Sequence, residues 1–201
     1  MVEKKKWYKN TTTPRMVFIS TMGILLVGIT FCGIYDPLQW RQEKPRLEKP
    51  KIERVNQQLS EIINIIEKKR PRIDPAIVKP IAKSVLKYSK MYNFPPELVV
   101  CVIDRESSFN TVAVSTADCV GLMQINEKWH KEKLKKLGIK SDQLFHIDNN
   151  INIGCMILRE YYNGTKSINK ALTKYVGGKH PSYVCDILSD FTNLILSKKK
   201  I

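Results

Sequence analysis

No window of this 201-residue chain alternates apolar and polar residues in the sustained way that a half-buried strand requires. That excludes a sheet-built fold and leaves an all-α one. Acidic residues are scarce: 19 Asp and Glu stand against 34 Lys and Arg, for a formal net charge of +15. A charge of that sign suits nucleic acid, an anionic membrane surface or an anionic polymer. Nucleic-acid motifs are missing, however: there are no paired zinc ligands, no aromatic RNA-binding signature and no phosphate-cradling glycine loop. The charge by itself is thus a poor argument for DNA or RNA, and no nucleic-acid partner is expected. Ligands for a metal or nucleotide cofactor are equally absent, so none is expected. Cys101, Cys119, Cys155 and Cys185 have the spacing of no common zinc site. An exported domain would let them pair in three ways, whereas the helical positions of Cys101, Cys155 and Cys185 favour buried thiols.

What is present begins with a basic tail over residues 1–15, carrying Lys4, Lys5, Lys6, Lys9 and Arg15. Met16 to Tyr35 then runs without a charge for about the length needed to cross a bilayer as a helix. A cleavable signal would have a shorter apolar region ending in small residues. Here Phe31, Ile34 and Tyr35 crowd that end, and Phe31 before Cys32 also argues against lipoprotein processing, so residues 16–35 read as an uncleaved anchor. The short tail stays in the cytoplasm under the positive-inside tendency, although Arg41, Lys44, Arg46 and Lys49 weaken the contrast.

Residues 36–72 turn to Lys, Arg, Glu, Gln and Pro, as in a solvated basic linker. Within it Ile52, Val55, Leu59, Ile62 and Ile66 recur at spacings of three and four. That pattern fits a short coiled coil, or a helix lying against the chain's own domain. The globular domain is expected over residues 73–201. Ile77, Ile81, Val85, Tyr88 and Tyr92 mark one face of its first helix, and further helices are expected over Asn150–Tyr162, Ile168–Val176 and Tyr183–Leu196. Lysine-rich His130–Lys140 reads as an exposed helix stopping at Gly138, its charges a solvated face.

The densest stretch runs from Phe94 to Asn126. Pro95-Pro96 sets a helix start, because proline in the first turn loses no needed donor, and Glu97 adds favourable charge there. Leu98, Val99, Cys101, Val102 and Ile103 make this helix apolar on most sides, so it is expected to be buried. Glu106 arrives at its end, against the core. Burial raises a carboxyl pKa, which a general acid working near neutral pH requires. Taken alone, such a glutamate is more often paired with a neighbouring Arg or Lys. The context is what singles it out: Glu106-Ser-Ser-Phe-Asn110, then Ser115, then Gly121-Leu-Met-Gln-Ile-Asn126, with Gly121 expected to open a short helix.

This order, followed by Asn150-Ile-x-x-Gly154 and Ala171-x-x-x-Tyr175, resembles the catalytic domain of the lytic transglycosylases, the lysozyme-like glycoside hydrolase family 23. The resemblance covers roughly residues 76–192. It implies an all-α, lysozyme-like domain acting on peptidoglycan glycan strands. It also implies a glutamate, Glu106, that first protonates the bond between N-acetylmuramic acid and N-acetylglucosamine and then serves as base toward the muramyl 6-hydroxyl. Ser115, Gln124, Asn150 and Tyr175 match the family's substrate-binding positions, and Met123 is expected beneath the pocket. Two departures stand out: Val176 follows Tyr175 where the family usually has asparagine, and Asn126 replaces a frequent methionine. Gly-Leu-Met-Gln-Ile-Asn with Trp129 nearby is similar to the small specialised members that open the wall for secretion systems, pili or phage entry. Components of such assemblies are the implied partners, and the implied location is a single-pass membrane protein with its domain outside the cytoplasm.

Most glycosidases use two carboxylates. Asp104, two residues before Glu106 on one helix, points away from it, which leaves Asp118 as the candidate second carboxylate of a lysozyme-type hydrolase. A non-catalytic glycan-binding membrane protein is the third reading, and it would have no need of Glu106.

Overall fold

The computed structural model describes residues 49–178 and 180–198. The expected anchor at 16–35, the basic tail and Cys32 lie outside the described residues. Among the described residues no helix is long and apolar enough to cross a membrane.

The described residues form seven α-helices: α1 Lys49–Lys69, α2 Pro75–Met91, α3 Pro96–Ser107, α4 Glu127–Leu137, α5 Ile147–Thr165, α6 Ile168–Tyr175 and α7 Pro181–Lys198, with a 3-10 turn at Ser141–Phe145. Local chemistry sets their ends. Asp74 accepts from the Ala76 N–H at 2.9 Å ahead of Pro75, and α3 begins on Pro96 behind an extended Pro95. α3 stops where Ser108 turns left-handed, and α4 stops at Gly138 in the same conformation.

α3 is the central element. Leu98 to Ile103 are all buried, and α2, α7 and α1 pack around the helix. α5 lies against α2 and α6 and contributes Ile151, Ile153, Cys155, Ile157 and Leu158 to the same core. α1, within the segment read as linker, buries Ile62 and Ile66 against this core while Ile52 and Val55 stay exposed. The repeat of threes and fours thus serves packing onto the domain over its second half. Cys101 and Cys155 are buried, Cys119 is half-buried, Cys185 is exposed, and none of the four is paired.

One expectation fails here. Gly121 opens no helix. Cys119–Val120 pairs antiparallel with Ile125–Asn126, and Gly-Leu-Met-Gln is the tip of that small hairpin. Left-handed backbone at both Gly121 (φ 76) and Gln124 (φ 47) is incompatible with an α-helical start. The next helix begins only at Glu127, where the Asn126 side chain accepts from the Trp129 N–H at 3.2 Å.

Candidate active site

Glu106 emerges on the last turn of α3 into a cavity of about 390 Å³. Ser115, Gln124, Asn126, Trp129, His130, Tyr175 and His180 also line it. Three of the four expected substrate-binding residues, Ser115, Gln124 and Tyr175, are thereby brought to one space with Glu106. Asn150 is not.

Burial is the larger influence on the Glu106 carboxyl and lifts it to about 7, against a hydrogen bond from Tyr183 and the charge of Arg105, which act downward. Tyr183, on the first turn of α7, donates its phenol to Oε1 of Glu106. Its own proton is held tightly, because burial and the adjacent carboxylate both push its pKa up. Arg105 is not the ion-pair partner of Glu106 but of Asp186, at 2.8 Å. Asp104 turns away, as its spacing requires, toward Lys69 at 3.2 Å and Arg70 at 2.7 Å.

The hairpin tip is pinned from several directions. Ser107, beside the glutamate, donates to the Leu122 carbonyl at 2.9 Å. Tyr175 donates to the Met123 carbonyl at 2.8 Å. Asn150 accepts from the Met123 N–H at 2.7 Å and donates to the Val120 and Leu144 carbonyls at 2.9 and 2.7 Å. Asn150 is 1% exposed and does not line the cavity; its amide is engaged by backbone, so it braces the hairpin. Gly121 is glycine for the same reason: a Cβ there would overlap the Asn150 amide and sit 2.9 Å from the Leu144 carbonyl oxygen. At Gly154 a Cβ would sit 2.8 Å from the Met123 Cβ, so the glycine of the Asn-Ile-x-x-Gly pattern makes room for this wholly buried methionine.

Ser115 accepts from the Cys119 and Ala117 N–H groups at 3.1 and 3.3 Å and shapes the loop while facing the cavity. Gln124 donates to the Gly121 carbonyl at 3.0 Å. Trp129, 70% exposed, offers a flat apolar face at the rim. Asp118 lies elsewhere: it is exposed, lines a different depression, and pairs with Lys128 at 2.8 Å, which holds its carboxyl below the ordinary value. Among the described residues lining the cavity, Glu106 is the sole carboxylate. Sequence reasoning passed over Tyr183, His130 and His180. Tyr183 does stand at i and i+4 with Ile187 on an apolar stripe, but nothing in that stripe says which helix it faces.

Comparison with known proteins finds relatives over the segment that holds Glu106 and the hairpin. Residues 83–182 match the family described as the transglycosylase SLT domain. The chain is 35% identical over 107 residues to the membrane-bound lytic murein transglycosylase C of Yersinia pestis and to that of Yersinia pseudotuberculosis. Each match covers 47% of this chain and 30% of the relative, so the chain spans under a third of the curated relatives' length. Among solved structures, the 70 kDa soluble lytic transglycosylase of Escherichia coli aligns at a TM-score of 0.44 and 23% identity, covering 56% of this chain and 19% of that one. An inactive mutant of the lytic transglycosylase Slt from Pseudomonas aeruginosa gives 0.44 and 24%, over 67% and 23%. The glutamate and the pinned hairpin both fall inside the matched segment, and residues 83–182 are identified as a transglycosylase SLT domain.

Proposed function

We propose that the chain is a membrane-anchored peptidoglycan lytic transglycosylase with a lysozyme-like catalytic domain. The carrying observation is a lone carboxyl, Glu106, raised to about 7 in a cavity it shares with no other described carboxylate. A carboxyl at that value is half protonated near neutrality, so it can give a proton and take one back within one turnover.

Glu106 protonates the oxygen linking N-acetylmuramic acid to N-acetylglucosamine, and the C1–O bond breaks with oxocarbenium character on the muramyl ring. The resulting carboxylate then removes the proton of the 6-hydroxyl as O6 closes onto C1. One bond is broken and one formed, the proton is returned, and no water is consumed. The product end is 1,6-anhydro-N-acetylmuramic acid. Gln124 and Ser115 border the sugar, Trp129 offers a stacking face, and Tyr175 acts through the Met123 carbonyl it holds.

Residues 16–35 anchor the chain and place the domain on the outer side of the membrane, where local wall opening for a secretion, pilus or virion assembly is its role. The membrane-bound character in the name of the Yersinia relatives supports this placement. The cationic surface favours contact with an anionic wall.

The test is mass spectrometry of the soluble products released from peptidoglycan by the full chain and by Glu106→Gln. Anhydro-muropeptides from the first and none from the second are expected. Reducing ends in their place would make the enzyme a hydrolase.

A further inference from the structure

α3 and α7 meet along a ladder of paired side chains that ends at the proposed acid. Following α3 from Asp104 through Arg105 to Glu106, the facing residues, taken backwards along α7, are Asp190, Asp186 and Tyr183. Glu106 takes the Tyr183 phenol, and Arg105 takes Asp186 at 2.8 Å with its guanidinium 6.0 Å from the Tyr183 ring centre. Tyr183, Asp186 and Asp190 share one side of α7 because residues three, four and seven apart line a single helix face.

The remaining rung puts two acids on facing helices. Asp104 and Asp190 would repel, and neither helix supplies a cation between them. Lys69, the last residue of α1, does: its Nζ lies 3.2 Å from Asp104 and 2.8 Å from Asp190. The side chain is 17% exposed and that of Asp104 14%, so water screens this arm of the bridge poorly, while the Asp190 arm is half exposed. A second tie fastens α1 to the same pair of helices, as Lys198 of α7 contacts both Glu61 of α1, at 2.8 Å, and the buried Glu97 of α3. α1 lies wholly outside the matched family segment 83–182.

We infer that Lys69 is a positioning residue: by bridging Asp104 and Asp190 it closes the α3–α7 seam and so holds Tyr183 on Glu106. α1 is then part of the catalytic unit rather than a tether, and Lys69 is the link from it to the seam that carries the acid. The inference rests on the activity proposed above for Glu106.

The experiment measures kcat and KM on solubilised peptidoglycan strands with the full chain in detergent, for Lys69→Met, Lys69→Arg, Asp190→Asn and the double variant Lys69→Met with Asp190→Asn. Lys69→Met removes the cation that the two carboxylates share, leaving Asp104 to Arg70 alone and the bridge to Asp190 open, and lowers kcat roughly tenfold, with KM within about twofold, because positioning errors of this kind act on the chemical step. Lys69→Arg keeps the bridge and stays near wild type. Asp190→Asn alone costs about twofold, and the double variant recovers to that level, since removing one acid removes the repulsion. A kcat for Lys69→Met equal to wild type, or a double variant as slow as Lys69→Met, overturns the inference. Should Lys69→Met not fold, Asp190→Asn still decides, being an isosteric change at a half-exposed side chain: kcat and KM indistinguishable from wild type would sink the bridge. A wild-type chain with no Glu106-dependent product defeats the proposed activity instead, which separates the two failures.

Discussion

The phenol of Tyr183, on the first turn of α7, donates to the carboxyl of Glu106, on the last turn of α3. Two residues far apart in the chain thereby set one proton affinity. Burial raises the carboxyl, and this hydrogen bond pulls it part of the way back, to about 7.

Tyr183→Phe removes the downward pull and keeps the ring. The Glu106 carboxyl then rises further, and the high-pH limb of the kcat/KM profile moves up by about one to two pH units, given that a hydrogen bond to a charged group is worth roughly 1.5–3 kcal/mol. A limb that does not move would mean that Tyr183 contributes shape alone.

Glu106→Gln is expected to abolish turnover and, at high pH, to stabilise the fold. The folded carboxyl titrates near 7 and the unfolded one near 4.5. Between those values the unfolded chain releases a proton that the folded chain keeps, so wild-type stability falls as pH rises through this window and is fully reduced above 7. The reduction is at most about 3–4 kcal/mol at roughly 1.4 kcal/mol per unit. Urea unfolding at pH 4 and pH 8 should therefore show the variant gaining on wild type only at pH 8. An advantage of equal size at both would refute the buried-acid account.

Asn150→Ala leaves the Met123 N–H and the Val120 and Leu144 carbonyls without their partner. Stability should drop by about 2–4 kcal/mol, as expected for several buried groups left unpaired. If Asn150 is a brace and not a sugar contact, the Kd for glycan strands, measured below the unfolding range in a Glu106→Gln background, changes little. A large loss of affinity with stability intact would return it to the binding site.

Asp118→Asn separates the transglycosylase from the hydrolase. Asp118 is exposed, tied to Lys128 and absent from the cavity that Glu106 lines. Product identity and kcat should both stay at wild-type values. A hundredfold fall in kcat would make it the second carboxylate after all.

Much of the helical plan could be read along the chain, because apolar spacing and capping residues act locally. Pro95-Pro96 and the run to Ile103 mark α3, and Gly138 stops α4. The Gly-Leu-Met-Gln tip could not be read so, since its short apolar run suits a helix equally well. Only the left-handed turns at Gly121 and Gln124, held by Asn150 and Ser107 from other elements, make it a hairpin.

The sequence by itself singled out the proposed acid. Glu106 is marked by the order of residues around it, and its burial follows from an apolar helix that ends where the carboxylate begins. Tertiary structure alone decided the company it keeps. Tyr183, the cation Lys69 between Asp104 and Asp190, and the withdrawal of Asn150 from the cavity all depend on which helix faces which. Periodicity gives the direction of a side chain about its own axis, whereas the partner on the other side is fixed only when the helices pack.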